Sequence, residues 1–424
     1  MERPLTQYIQ ANKPPMNLSE YEKVGGYKAL HKALKEMKPQ EVQKLVLDSN
    51  LKGRGGAGFS TGTKWSLIPM GENAPAEKYF ICNADEMEPG TFKDRLLLEG
   101  NPHQLIEGII ISAYAIQANK GFIFLRWAYK KAADVILKSI SEAYSAGYIG
   151  NNILGTGFNF NLYLHRSVGR YICGEETALL NALEGKRAIP RAKPPYPNIS
   201  GLFGKPTTMN SVETLSFIPH IVNNGATWFK DLSITGEGGT KIYGVSGKVK
   251  NPGAWELPLG TTIREIIFEH AGGMKNGFTL KGFLPGGAST DFLTEEHLDV
   301  NMDYASLGKV GSRLGTGTMI ILDDKTCPVG MVHNLEHFFA QESCGWCTPC
   351  REGLPWVEKI LFSLEEGTGR MEDIDLLLFH AKHLAPGRTF CALAPGAVEP
   401  LQSSLKYFRD DYIKHIHDKR CPWR

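Results

Sequence analysis

Cys344, Cys347 and Cys350 stand at C-x2-C-x2-C spacing in the run Glu-Ser-Cys-Gly-Trp-Cys-Thr-Pro-Cys, and Cys391 lies far downstream as a candidate fourth. Three thiolates on one tight loop can hold three corners of a cubane while a packed neighbour supplies the fourth ligand. The spacing therefore points to a single four-cysteine [4Fe–4S] cluster. Structural zinc usually shows two separated ligand pairs, and no second C-x2-C pair is present. A disulfide network would leave one of the three close thiols over. A cluster of this kind moves one electron at a time, so its electron source must be able to deliver singly.

Three other stretches carry site chemistry. Gly53-Arg54-Gly55-Gly56-Ala57-Gly58 matches G-x-G-x-x-G, followed by Phe59 and Lys64. As a dinucleotide fingerprint the match is weak, because Glu41 to Leu47 before it reads as helix where that motif needs a strand. The glycines still let backbone N–H groups turn toward a ligand, with Lys64 as a fixed positive charge beside a phosphate or ring edge. The bland alternative is a tight turn. Two acidic loops suit ribose hydroxyls or a carboxamide: Asn83-Ala84-Asp85-Glu86-Met87-Glu88 after a strand, and Tyr171-Ile172-Cys173-Gly174-Glu175-Glu176, which ends a strand-like run and starts a helix. Acidic residues at a helix start would explain Glu175 and Glu176 equally well. Lys193-Pro194-Pro195-Tyr196-Pro197 presents one cation and one ring on a stiff loop, suited to stacking on adenine or simply a surface turn.

These parts join through electron counting. A pyridine nucleotide gives up two electrons as hydride and a cluster accepts one. A flavin takes two and releases them singly, so NADH to flavin to iron–sulfur is the chemistry this set of residues suggests.

The elements that must position these residues read as two or three domains, given 424 residues. Lys plus Arg is 47 and Asp plus Glu 45, a net charge of +2 that argues against a nucleic-acid footprint. The longest apolar run, near Leu105 to Ile116, falls short of a bilayer span. No signal peptide is read at the N-terminus, and eight cysteines with three clustered suit metal ligation in a reducing compartment. Short helices are expected at Tyr27 to Met37 and Pro39 to Leu47. Strand-like runs at Lys78 to Cys82, Gly121 to Leu125 and Asn161 to Leu164 alternate with helices near His103 to Gln117 and Ala128 to Ala143, an α/β pattern. Strand Lys241 to Val249, turn Asn251-Pro252-Gly253, a strand ending at Pro258 and a Thr262/Glu265 capping box describe a small β-grasp module closed by Thr318 to Leu322. Helical periodicity follows in Val329 to Phe339, Leu354 to Leu364, Ile374 to Leu384 and Leu401 to Tyr412.

Gly53 to Lys64, Asn83 to Arg95, Tyr171 to Gly185, Gly201 to Thr214 and Glu342 to Gly353, in that order, closely resemble the family of flavoprotein (51 kDa-type) subunits of respiratory NADH:quinone oxidoreductase, complex I. The resemblance implies FMN and one [4Fe–4S] cluster as cofactors and NAD(H) as substrate. It implies a Rossmann-like flavin and nucleotide domain over residues 1–230, a ubiquitin-like β-grasp domain over 231–325 and a helical cluster domain over 326–424. FMN would lie on Gly53 to Gly58 with Lys64, Asn83, Asp85, Gly174 and Asn210 around it. Glu88 would receive the nicotinamide carboxamide, with Glu86 as a second catalytic carboxylate. Glu175 and Glu176 would face the ribose region, and Phe59 with Tyr196 the adenine. Arg54, Ala57, Tyr171, Lys193 and Ser211 complete the expected contacts, and Cys344, Cys347, Cys350 and Cys391 become the cluster ligands. Ser211, Tyr196 and Leu67 depart from the family pattern, which commonly has a second asparagine and other aromatics there. Cys82, Cys173, Cys327 and Cys421 have no implied role and read as buried thiols.

The expected partners are a small thioredoxin-like [2Fe–2S] (24 kDa-type) protein and the other components of complex I. The expected location is cytoplasmic and peripheral to the inner face of the cell membrane. The rival is the equivalent subunit of a soluble NAD-linked hydrogenase or formate dehydrogenase. No basic residue adjoins Glu175 and Glu176 in the chain, so NADPH should be repelled there and NADH preferred.

Overall fold

The structure, a computed structural model, describes residues 2–10 and 12–424. The chain falls into two compact units. The first takes residues up to Met87, Phe92–Ile242 and Glu256–Gly260; the second takes Glu88–Thr91, Tyr243–Trp255 and Thr261–Arg424.

The first unit is built on four parallel strands, β1 (Tyr79–Ala84), β2 (Lys120–Leu125), β3 (Asn161–Arg166) and β4 (Thr207–Ser211), in the order β3-β2-β1-β4. The three strand-like runs read from sequence are β1, β2 and β3. β4 escapes a periodicity reading because Thr-Thr-Met-Asn-Ser has no apolar alternation, and its burial comes from pairing beside β1. Winding runs from β1 outward to β2 and β3, then returns to place β4 on the other side of β1. The carboxyl ends of β1 and β4 therefore flank a switch point, where open α/β sheets bind ligands.

The apolar run near Leu105 becomes the core helix Pro102–Ile116, nearly all of it buried. Among the described residues no helix is long and apolar enough to cross a membrane. Its buried Glu107 accepts hydrogen bonds from the Tyr21 hydroxyl (2.6 Å) and the Tyr27 and Leu30 N–H groups (3.0 and 2.9 Å). A side chain at Gly108 would run into the carbonyl of Leu215. That close approach seats helix Val212–Ser216, and with it the end of β4, on the core.

The second sheet, β5 (Thr240–Ser246), β6 (Gly253–Pro258), β7 (Leu280–Leu284) and β8 (Thr318–Asp323), has the order β6-β5-β8-β7. β5 is parallel to β8 and β7 antiparallel to it. The Thr262/Glu265 cap forms, with Thr262 N–H donating to Glu265 at 2.9 Å, but the helix it opens, Glu265–His270, is wound as a π-helix. Helices Pro328–Glu342, Thr348–Glu365, Met371–Leu384, Leu393–Tyr407 and Arg409–Asp418 follow. The single helix expected over Leu401 to Tyr412 is two, broken where Phe408 leaves helical geometry and buries its ring.

Candidate functional site

The glycine loop leaves helix Pro39–Asp48, as read, and closes on itself through the Lys52–Ser60 bridge and the Gly53 N–H to Phe59 carbonyl bond at 2.8 Å. Gly56 and Gly58 hold φ of 133° and 68°, values that disfavour a side chain. The loop docks on the end of β4. Arg54 N–H donates to Thr214 Oγ1 at 2.8 Å, which itself lies 2.9 Å from Ser211 Oγ. A Cβ on Gly55 would sit 3.4 Å from that of Ser211. Buried Trp65 donates from Nε1 to Asn210 Oδ1 at 2.9 Å, anchoring helix Thr61–Ser66 and its neighbour Lys64 to the same strand end. A loop that follows a helix thus reaches the switch point a Rossmann loop reaches from a strand.

The Arg54 side chain runs underneath. It is fully buried, donates to the Gly238 and Thr240 carbonyls at 2.7 and 3.3 Å, and leaves Nε and Nη1 buried without a protein partner. Beneath the loop lies an ionic group that sequence reasoning missed. Glu213 lies 2.8 Å from both Lys93 and Lys241, all three buried. Burial alone would raise the Glu213 carboxyl, but Lys241 and Lys93 outweigh it and hold it down to about 2. Only long-range packing brings these residues together.

From β1, Asn83 Nδ2 donates to the Gly174 carbonyl at 3.4 Å, and Asp85 Oδ1 accepts from Ser167 at 2.9 Å. A Cβ added to Gly174 would meet nothing within 4 Å, so this side of the loop faces open space. Glu86 points inward. It accepts from Lys93 and Asp94 N–H at 3.0 and 2.9 Å and from the Tyr129 hydroxyl at 2.8 Å, and burial followed by the Asp94 charge raises its carboxyl. Glu88 belongs to the second unit, where Ser289 N–H donates to its Oε1 at 2.6 Å.

Tyr171–Gly174 is a 3₁₀ turn and not the end of a strand, because the chain must tighten to present Glu175 as a helix cap. Glu175 Oε2 accepts from Thr177 and Ala178 N–H at 2.8 and 2.9 Å, so the helix-start reading holds for it. Glu176 behaves differently. Lys64 Nζ lies 3.1 Å from its Oε2 and Lys193 Nζ 3.0 Å from its Oε1. Lys193 also lies 3.0 Å from Glu175 Oε1. The expectation that no cation attends these carboxylates is corrected, since folding supplies two. Burial opposes ionisation of Glu176, yet Lys64 and Lys193 hold its carboxyl below the usual range. Phe59 and Tyr196 are each 55% exposed, rings left bare at the surface of this unit.

In the second unit, residues 343–347 turn between helices Pro328–Glu342 and Thr348–Glu365. Cys350 lies on the first turn of the latter, with Ser343 Oγ 3.2 Å from its sulfur. Burial, then the proximity of Cys347, Cys391 and Cys344, pushes the Cys350 thiol up to about 12, so the four thiols are gathered in one place. The Trp346 and Phe390 rings, 6.3 Å apart, bring the Cys391 segment against the three-cysteine loop. Four thiols brought to one place are the donor set a cationic cluster core would satisfy.

Comparison with known proteins agrees with this geometry. Residues 46–220 match the Nuo51 FMN-binding domain, 242–289 the SLBB domain and 330–415 the NADH-ubiquinone oxidoreductase-F iron-sulfur binding region. The F-type subunit of NADH-quinone oxidoreductase from Buchnera aphidicola (subsp. Acyrthosiphon pisum) is 56% identical, with 98% of this chain and 94% of the relative covered. Its Escherichia coli K12 counterpart is also 56% identical, covering 96% and 92%. Among solved structures, an H2-reduced NAD+-reducing [NiFe]-hydrogenase superposes with a TM-score of 0.83 at 31% identity, covering 99% of this chain and 67% of that one.

Proposed function

The chain belongs to the family of F-type subunits of NADH-quinone oxidoreductase, and on that premise we propose how its own residues divide the work. It is the electron-input subunit of a multi-subunit NADH:quinone oxidoreductase: it oxidises NADH by hydride transfer to FMN and passes electrons singly to a [4Fe–4S] cluster, toward quinone. FMN supplies the conversion from two electrons to one when bound.

The residues fit that cofactor. We assign the flavin to the crevice between the glycine loop and the β1 and β4 ends. There the N–H groups of Gly53 to Gly58 receive phosphate, and Asn83, Asp85, Gly174, Asn210 and Ser211 orient the remainder. Arg54 contributes its backbone and, from below, a buried positive charge with two of its nitrogens, Nε and Nη1, lacking a protein partner. Phe59 and Tyr196 stack on adenine. Glu176 receives ribose hydroxyls, with Lys64 and Lys193 holding it ionised as an acceptor. Glu88, fixed by Ser289 N–H, receives the carboxamide. Glu86, expected as a second catalytic carboxylate, we instead assign as a positioning residue, because its carboxylate is engaged by helix Asp94–Gly100 and Tyr129. Cys344, Cys347, Cys350 and Cys391 hold the cluster.

The division at 1–230, 231–325 and 326–424 remains our reading, supported by the order of the three family matches. The parallel β5–β8 pair with an antiparallel β7 supports a β-grasp module, and the five closing helices support a bundle. We propose a thioredoxin-like [2Fe–2S] partner and a peripheral position at the inner membrane face. Identity of 56% to the respiratory relatives against 31% to the hydrogenase chain favours the respiratory complex over the soluble rival.

The observation that carries the residue assignment is one chain holding both a glycine loop docked on a switch point and a gathered four-thiol group. Anaerobic purification should yield about one FMN and about four irons per chain, with NADH bleaching the flavin. Protein without flavin would overturn the crevice assignment.

A further inference from the structure

Two thiols that no step of this reaction uses meet an imidazole and a carboxylate at the opposite end of the helix pair that frames the cluster loop. Cys327 precedes helix Pro328–Glu342, Glu365 closes helix Thr348–Glu365, His415 lies on helix Arg409–Asp418, and Cys421 follows it. Their ligand atoms all lie within 4.8 Å of one another. We propose that Cys327, Glu365, His415 and Cys421 form a second metal site, taking one divalent zinc ion.

The geometry has the scale of a tetrahedral ion. With Zn–S near 2.3 Å and Zn–N or Zn–O near 2.0–2.2 Å, donor-to-donor edges come to roughly 3.3–3.8 Å. Cys327 Sγ lies 3.1 Å from Glu365 Oε1 and 3.3 Å from His415 Nε2, and those last two atoms are 3.1 Å apart. The imidazole is held in the ligating form. Its Nδ1 lies 2.6 Å from the Asp411 carbonyl, which can only accept, so Nδ1 carries the proton and Nε2 turns its lone pair to the other donors. Without a metal, that lone pair would face a carboxylate oxygen across 3.1 Å unless the ring took up a second proton.

The surroundings match a thiolate site. Gly330 N–H donates to Cys327 Sγ at 3.2 Å, and the Trp423 ring stacks on His415, covering it. Glu365, His415 and Cys421 are buried. Two thiolates and a carboxylate carry three negative charges; a dication leaves one, and Arg424 Nη2, 3.0 Å from Glu365 Oε2, offsets it. Two sulfurs with an imidazole select zinc over magnesium or calcium, and a redox-silent ion would not divert electrons. The site is separate from the cluster cysteines, since the 15-residue helix Pro328–Glu342 lies between Cys327 and Cys344, a rise of about 22 Å. The ion would staple the segment carrying Cys421 to both helices that hold the cluster loop.

Metal analysis of the FMN- and iron-loaded protein, dialysed anaerobically, should find about one zinc per chain beside the iron. Cys347→Ser should keep the zinc while losing iron. Cobalt supplied in expression of that variant should give thiolate-to-cobalt charge-transfer absorption and intense tetrahedral bands. His415→Ala should lower zinc at least about tenfold with FMN retained. If His415→Ala does not fold, the zinc content and the cobalt spectrum of Cys347→Ser still decide. Full FMN and iron with negligible zinc, and no uptake when zinc is added under reducing conditions, would mean an ordinary His–Glu ion pair. Zinc lost together with iron in Cys347→Ser, or retained in folded His415→Ala, would also overturn the site.

Discussion

Lys64 Nζ and Glu176 Oε2 stand 3.1 Å apart although 112 residues separate them in the chain. The contact ties the helix after the glycine loop to the helix after the second acidic loop, and Lys193 completes it from a third segment. Glu176 is therefore an ionised carboxylate paired with two cations rather than a lone negative charge. On the proposed ribose assignment, discrimination against a 2′-phosphate would rest on both cations being already committed to a carboxylate.

Glu176→Ala frees Lys64 and leaves Lys193 paired with Glu175 alone. The NADPH-to-NADH ratio of kcat/KM should rise at least about tenfold, which corresponds to ~1.4 kcal/mol. Lys193→Ala added to that variant should remove most of the gain. Lys64→Ala should lower FMN occupancy as well, and Glu176→Ala should not. Measuring both specificity constants and the flavin content of each variant decides among these, and an unchanged ratio in Glu176→Ala would leave the residue a plain ion-pair partner.

What the chain disclosed before folding was local. The glycine loop, β1 with its acidic exit and the three clustered cysteines are contiguous signals, lying in the structure after a helix, after a strand and at a helix start. What escaped is long-range. Lys193 sits 17 residues from Glu176 and Lys64 sits 112 away, so no window around Glu176 shows its counter-charges. The Tyr171–Gly174 run has strand-forming residues yet forms a 3₁₀ turn, because the helix start at Glu175 overrides propensity. Cys327 and Cys421 read as buried thiols without a role, since their common neighbours, Glu365 and His415, lie on two other helices; Cys327 is in fact only half-buried.

Glu213 should set an acid limit on stability. Its folded carboxyl titrates at about 2, against ~4.3 for an unperturbed glutamate, and the gap is worth roughly 3 kcal/mol. Because the folded value is depressed, that stabilisation is complete above ~4.3 and lost as pH falls through about 2. Lys241, held down to about 7 by burial, changes charge only above this window. Glu213→Gln should therefore be less stable than the parent by roughly 3 kcal/mol at pH 7, with two buried lysines left short of counter-charge. Urea midpoints of the transition that releases the first unit should converge between pH 4 and pH 2. Parallel curves across that range would count against the ionic group.

Burial, and then the proximity of three thiols of which Cys347 is the foremost, pushes up Cys350. A four-cysteine cluster offers no spare ligand, and a serine oxygen is a hard donor where iron–sulfur cores take soft thiolates. Cys347→Ser should drop iron from about four per chain to below about one. The glycine loop and the β1 and β4 ends belong to the other compact unit, with their own core, so FMN occupancy should stay near the parent's. NADH oxidation with an acceptor that takes a hydride from the flavin should then persist within about twofold, while transfer to a one-electron protein acceptor falls at least about tenfold. Iron assay, flavin assay and the two acceptor rates on one preparation test the whole division of labour. Parent-level iron in the serine variant would remove Cys347 from the ligand set, and loss of FMN along with the iron would show that the two centres do not fold independently.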